Sequence, residues 1–171
     1  MIVYMNSSTK NNGNPEVPDG IKANLTLNLE ESSGEISLNK DNPDAYPQIN
    51  YNYLSTDNDI NRFVEGIKIL EKIGLHKEFQ NYAGEMNHPD SNIRNDDKLL
   101  KKWLRTKMVT GHHSSGTCKM GNDSLAVVNQ DGSVRGVQNL KVVDASIMPD
   151  CIRANTNATV MLIAERIIDL W

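Results

Sequence analysis

The sequence has little of several features that would define a function class. Its two cysteines, Cys118 and Cys151, are too few for a disulfide framework, and neither lies in a C-x-x-C pair or in a Cys/His cluster with metal-ligand spacing. Charged residues make up 23% of the chain and the formal net charge is -4, so no basic field exists to attract nucleic acid or an anionic membrane. We therefore expect no metal centre and no nucleic-acid partner.

Long apolar runs are absent as well. No stretch approaches the roughly 18 consecutive apolar residues of a membrane span, and the apolar start at residues 1–5 is too short for the core of a signal peptide. We expect a soluble chain without a membrane span. The sequence leaves the localisation open, with the cytoplasm slightly favoured.

Composition and apolar patterning divide the first third of the chain. A stretch crowded with Ser, Asn, Gly and Pro, without apolar periodicity, predicts a linker or loop over residues 1–20, followed by one domain over 21–171. Apolar and polar residues alternate from Ile21 to Leu29 and again from Ile36 to Leu38, which predicts two half-buried strands in a hairpin. A further short strand is expected between Ile49 and Leu54.

Apolar residues at helical spacing predict three helices in the remainder. They cover Thr56 to Gly74, Asn95 or Asp96 to Met108, and about Ala158 to Trp171. Two short apolar segments between the second and third helices, Ala126–Val128 and Leu140–Val143, are expected to be strands. This order of elements predicts an α+β fold with a mainly antiparallel sheet and flanking helices.

The densest cluster of reactive side chains lies between Gly111 and Gly121, where Gly and Ser surround the pair His112 and His113. Small residues let a large flat ligand approach closely, and imidazole exchanges protons near neutral pH. A surface loop that happens to contain histidine is an equally good interpretation on composition alone. A Ser/His hydrolase is less well supported, because no serine here lies in a G-x-S-x-G elbow.

Two further clusters follow along the chain. In the first, backbone N–H groups of Ala145 and Ser146 could meet an anionic or carbonyl oxygen, and Asp144 could accept a hydrogen bond from a hydroxyl. Alternatively, Asp144 only caps the following turn. In the second, Asn155 and Asn157 precede the last helix, and one of them is expected to be its N-cap.

In this order, the three clusters resemble the C-terminal region of the glucose–methanol–choline (GMC) family of flavin oxidoreductases. The family pattern H-x-x-G-T-C-x-M-G is matched over residues 113–121, and L-x-V-V-D-A-S-x-M-P is matched over 140–149. The pattern N-x-N-x-T is matched over 155–159 and runs into Ala-Glu-Arg at 164–166. The resemblance extends from about Ser33 to the end of the chain.

The resemblance implies a role for individual residues. His113 matches the family's catalytic histidine, which takes the alcohol proton while hydride passes to the flavin of FAD. Asn157 matches the partner position that holds the substrate oxygen. Four other residues match positions near the cofactor. Asp144 and Ala145 match residues beside its ribityl chain and pyrophosphate, and Asn155 and Thr159 match residues close to its ring. His112 is expected to be structural, although a register error of one residue would exchange it with His113.

One departure from the family pattern limits these implications. Family members carry a G-x-G-x-x-G turn that lets backbone amides reach the FAD pyrophosphate, and no G-x-G occurs in this sequence. We expect a fragment, the second half of a split gene, or a degenerate remnant, whose C-terminal strand and helix would pack on an absent FAD-binding domain. Its partners would be a small-molecule alcohol and a separate FAD-binding chain. The alternative is a non-catalytic module that binds no flavin.

Overall fold

The computed structural model describes residues 1–8 and 20–170, which form two compact units. The helical unit comprises Met1–Ser33 and Asn52–Met108, and the motif unit comprises Gly34–Tyr51 and Val109–Trp171. The motif unit contains all three sequence clusters. That residues 21–171 act as one domain stays a prediction.

The helical unit combines one strand pair with four helices. Strand β1 (Ile2–Ser8) pairs antiparallel with β2 (Gly20–Thr26). The helices are α1 (Asp57–Gly74), α2 (Lys77–Gln80), α3 (Ser91–Arg94) and α4 (Asp97–Lys107). Helices α1 and α4 bury most of the core, because their apolar residues recur at helical spacing and form one face on each helix. That core contains Leu54, Ile60, Phe63, Val64, Ile67, Leu70, Leu100 and Leu104.

The predicted linker over residues 1–20 is wrong at its two ends. Residues 2–8 form β1, and residue 20 begins β2. Residues 9–19, the rest of the predicted linker, lie outside the described residues. The pairing explains the error, because an N-terminal strand gains its hydrogen bonds from a partner that local composition does not reveal.

The motif unit is built from short segments around a small core. Strand β3 (Glu35–Ser37) pairs antiparallel with β4 (Gln48–Asn50). A 3-10 helix covers Ala145–Ile147, and helix α5 covers Asn157–Ile168. The core consists of Val128, Ile147 and Ile167 with partly buried neighbours. Every element here is short except α5, which supplies Ile167 to that core.

The predicted α+β class is confirmed, but two features of its sheet differ from expectation. The predicted hairpin between residues 21–29 and 36–38 is wrong, because β2 pairs with β1 and β3 pairs with β4. The predicted strands at Ala126–Val128 and Leu140–Val143 are reduced to isolated bridges, Val128 to Val134 and Lys141 to Ser133. Turns interrupt the chain on both sides of these bridges, so no continuous ladder forms.

The helical unit contains one buried carboxylate, Asp59 in the first turn of α1, which is 1% exposed. Its oxygens accept backbone N–H bonds from Glu31 at 3.0 and 3.1 Å and from Ser32 at 2.7 Å. Burial raises the pKa of Asp59, but the hydrogen bonds from Ser32 and Glu31 outweigh burial, so the pKa lies below its ordinary value of 3.8. The carboxylate therefore fastens the segment after β2 to the start of α1.

Replacing Asp59 by Asn should destabilise the chain by about 1–3 kcal/mol, because the amide places an N–H group against backbone donors. A depressed folded-state pKa stabilises the fold above the ordinary value of 3.8, and this stabilisation is lost as the pH falls through the lowered value. Urea unfolding of the unmodified chain and of Asp59→Asn, at pH values between neutral and acid, measures the difference in the free energy of unfolding. Asp57→Asn, an exposed acid in the same turn, is the matched control and should change stability less.

Two glycines of the motif unit offer a second test. Gly132 and Gly136 both have a positive φ, 76° and 78°. An added Cβ at Gly132 would lie 2.9 Å from the carbonyl oxygen of Val142 and 3.0 Å from Cδ1 of Ile167, whereas Gly136 has open space around that position. The left-handed backbone is therefore common to both sites, and the steric constraint is confined to Gly132.

Gly136→Ala should cost about 1 kcal/mol for the left-handed backbone alone. Gly132→Ala should cost a further amount of about 1–3 kcal/mol, because the methyl group overpacks the core beside Ile167. Parallel urea titrations of the two variants measure this difference. Equal losses of stability at both positions would show that an added methyl group at Gly132 does not clash with the core.

Candidate functional site

The first two sequence clusters lie side by side in the motif unit. Gly116 N–H donates to the carbonyl of Ala145 at 3.4 Å, and Cys118 N–H donates to that of Ser146 at 2.9 Å. The next bond continues the series, from Met120 N–H to the carbonyl of residue 147 at 2.8 Å. The loop that carries the histidines is thus fastened by its backbone to the 3-10 helix.

His113 joins this loop to the third cluster. Its Nδ1 lies 3.0 Å from Oγ1 of Thr156, and its backbone carbonyl lies 3.6 Å from Sγ of Cys151. The imidazole is half-buried, whereas the side chain of Thr156 is buried. The contact places His113 against the residue that immediately precedes Asn157 in the chain.

His112 has a different environment from its neighbour. It is exposed, its φ is 60°, and its N–H donates to Oγ1 of Thr110 at 2.9 Å. A non-glycine residue in the left-handed region is uncommon and marks a constrained change of chain direction. The structural role expected of His112 stays a prediction, whereas the imidazole of His113 is held by its contact with Thr156.

Asp144 caps the 3-10 helix, as the simpler interpretation proposed. Its Oδ1 accepts a bond from Ser146 N–H at 2.8 Å and another from the Ser146 hydroxyl. The expectation that Ser146 N–H would meet a ligand oxygen is therefore wrong, because Asp144 already occupies that donor. The Asp144 side chain is nevertheless exposed, and Ala145 is half-buried beside it.

The start of α5 also differs from expectation. Its N-cap is Thr156, and neither Asn155 nor Asn157 takes that place. Thr156 makes no side-chain capping bond: its backbone has right-handed helical dihedrals, φ -78° and ψ -16°, and its hydroxyl contacts His113. Asn155 and Asn157 are both exposed at this helix end, and Thr159 is half-buried one turn further on.

Thr159 lines a shallow groove between α5 and the core of the motif unit. The groove encloses about 240 Å³ and is lined mainly by apolar side chains, including Met120, Ile147 and Leu162. Asn157 does not line it, so the groove is separate from the contact between His113 and Thr156. The predicted cofactor residues are therefore not all gathered around one cavity within the described part of the motif unit.

Thr156 and Cys151 are the two residues of this site that sequence reasoning missed. Thr156 stood inside the matched N-x-N pattern as a spacer, and Cys151 lay between two clusters without a motif of its own. The signal available for Thr156 was its position, one residue before Asn157 and next to the start of a predicted helix. No local pattern pairs a threonine with a histidine 43 residues away.

Two features are absent from residues 1–8 and 20–170. No three His, Cys, Asp or Glu side chains lie together there as a metal site requires. Over the same residues, no helix is both long and apolar enough to cross a bilayer.

Comparison with known proteins gives consistent matches. The family model described as GMC oxidoreductase matches residues 30–164. The oxygen-dependent choline dehydrogenase of Yersinia pseudotuberculosis is 39% identical over 159 residues, and that of Proteus mirabilis is 37% identical over the same length. Each alignment covers 93% of this chain but 28% of the relative. The chain therefore spans less than a third of the length of these curated relatives.

Solved structures show the same relationship. A formate oxidase superposes with a TM-score of 0.80 at 25% identity, covering 91% of this chain and 27% of that one. Pyridoxine 4-oxidase from Mesorbium loti superposes with a TM-score of 0.73 at 29% identity, covering 81% of this chain and 27% of that one. Since the family model covers most of the sequence, including all three clusters, the chain belongs to the GMC oxidoreductase family.

Proposed function

We propose that the chain is the C-terminal, substrate-side part of a FAD-dependent oxidoreductase that acts on the CH–OH group of a small-molecule alcohol. The observation that carries this proposal is the 3.0 Å contact between His113 Nδ1 and Thr156 Oγ1. It joins the matched histidine motif to the residue beside Asn157, and it leaves Nε2 as the ring nitrogen for a substrate. We propose that Nε2 accepts the proton while Nδ1 donates to Thr156.

In the proposed reaction, the alcohol oxygen lies between His113 and Asn157. FAD, when bound, supplies the acceptor for the hydride that leaves the carbinol carbon. His113 takes the hydroxyl proton on Nε2, so the oxygen becomes the carbonyl oxygen of an aldehyde or ketone. The side-chain amide of Asn157 donates to that oxygen and stabilises the negative charge that develops on it. Asn157 is the first residue of α5, where the helix dipole also favours negative charge.

The residues present fit FAD in part. The exposed carboxylate of Asp144 suits a ribityl hydroxyl, and the exposed amide of Asn155 suits a polar atom of the ring. Ala145 and Thr159 are proposed neighbours of the cofactor on the same side. None of these residues provides the glycine-rich backbone amides that bind a pyrophosphate, so we assign that task to a FAD-binding region outside these 171 residues.

The outer surface of α5 supports a partner of that kind. Met161, Leu162 and Ile168 are exposed, with 67% of Leu162 accessible, and Leu170 beyond the helix is exposed too. Large apolar side chains grouped on one helix mark a surface that is covered in the assembled protein. We propose that the FAD-binding region covers this surface. The relatives named choline dehydrogenase make choline the first alcohol to test.

The test of this proposal is His113→Ala in the chain joined to a FAD-binding region. Loss of the proton acceptor should slow flavin reduction by alcohols by roughly 10²–10⁴-fold, the usual contribution of acid–base catalysis. Stopped-flow bleaching of the flavin absorbance measures the rate. His112→Ala is the matched control and should leave the rate nearly unchanged, whereas the opposite result would transfer the catalytic role to His112.

Flavin content decides between the enzyme and the non-catalytic alternative. The chain is purified alone and together with that FAD-binding region, and the flavin spectrum of each preparation is recorded. Retention by the joined protein supports the oxidoreductase. If neither preparation retains flavin, the proposed activity fails for this gene product and the non-catalytic module takes its place.

A further inference from the structure

Thr156 has an arrangement that its place in the helix does not require. A threonine at an N-cap normally accepts a bond from an N–H of the first helical turn, and this side chain makes no such bond. The residue is 8% exposed, and its Oγ1 lies 3.0 Å from Nδ1 of His113. The hydroxyl therefore contacts the imidazole ring and not an N–H group of the helix.

The Thr156 hydroxyl can influence which tautomer the His113 ring adopts. A neutral imidazole carries one proton, on either Nδ1 or Nε2, and the hydrogen bond at one nitrogen decides which of them is protonated. A base that receives a proton on Nε2 must hold its resting proton on Nδ1. The Thr156 hydroxyl can donate to a bare Nδ1 or accept from Nδ1–H, and only the second arrangement survives proton transfer, because both nitrogens of the imidazolium ring donate.

The backbone of His113 is held independently of this contact. Its carbonyl lies 3.6 Å from Sγ of Cys151, and the loop is bonded further along through Gly116 and Cys118. Removing the Thr156 hydroxyl would therefore leave the loop fastened while the ring loses its partner. The orientation of the His113 ring can therefore be tested without moving the backbone of the loop.

We propose that Thr156 is a positioning residue that holds the neutral ring of His113 in its Nδ1–H form and leaves Nε2 bare as the proton acceptor. The inference rests on the proposed function for the use of Nε2, but the tautomer itself can be observed without flavin or substrate. Thr156 acts through His113 and has no contact with the reacting atoms in this scheme.

The first experiment records two-bond ¹⁵N–¹H correlation spectra of the 171-residue chain, at a pH well above the ordinary histidine pKa. The His113 signals are identified by their loss in His113→Asn. We expect the Nδ1–H form in the unmodified chain, a shift toward the Nε2–H form in Thr156→Val, and restoration in Thr156→Ser. An Nε2–H ring in the unmodified chain, or no change in the valine variant, would overturn the inference.

The second experiment uses the chain joined to its FAD-binding region. Thr156→Val should lower kcat about ten- to a hundredfold with little change in KM, and Thr156→Ser should recover most of the rate. Thr106→Val, which removes the hydroxyl of an exposed threonine in α4 of the helical unit, is the matched control and should retain the rate. A slow His113→Ala enzyme together with a normal Thr156→Val enzyme would refute the role of Thr156 and preserve the proposed function.

Discussion

The hydrogen bond between His113 and Thr156 is the contact on which the arrangement of the proposed site depends. It closes the histidine loop onto the start of α5, while backbone bonds fasten the same loop to the 3-10 helix at residues 145–147. Within the described part of the unit, Val128, Ile147 and Ile167 form a buried apolar cluster with partly buried neighbours. The segments at residues 113–120, 145–147 and 156–157 are therefore held together by a few polar contacts and a small core.

The helical unit is organised by a different constraint. Its core is larger and is formed mainly by α1 and α4, and the buried carboxylate of Asp59 joins the segment after β2 to α1. Local patterning predicted both helices well, since apolar spacing and capping residues act within one segment. Thr56 caps α1, and Asp96, one of the two residues at which the second helix was predicted to begin, caps α4.

The elements that could not be predicted all depend on long-range partners. Strand β1 pairs with β2 across residues that composition marked as a linker, and the segment near Lys141 makes one bridge where a strand was expected. Thr156 became visible as part of the site only when the fold placed it against His113. The motifs themselves were predictable because family resemblance identifies residues by order and spacing, whereas pairing and burial emerge from the folded chain.

In the proposed function, this chain contributes the proton acceptor and another region contributes the cofactor. The most direct measurement is a crystal structure of the chain joined to its FAD-binding region, with a non-reactive alcohol analogue bound. The account expects the analogue's oxygen within hydrogen-bond distance of His113 Nε2 and of the Asn157 amide, with Nδ1 still on Thr156. An oxygen held by His112, or by neither residue, would contradict it.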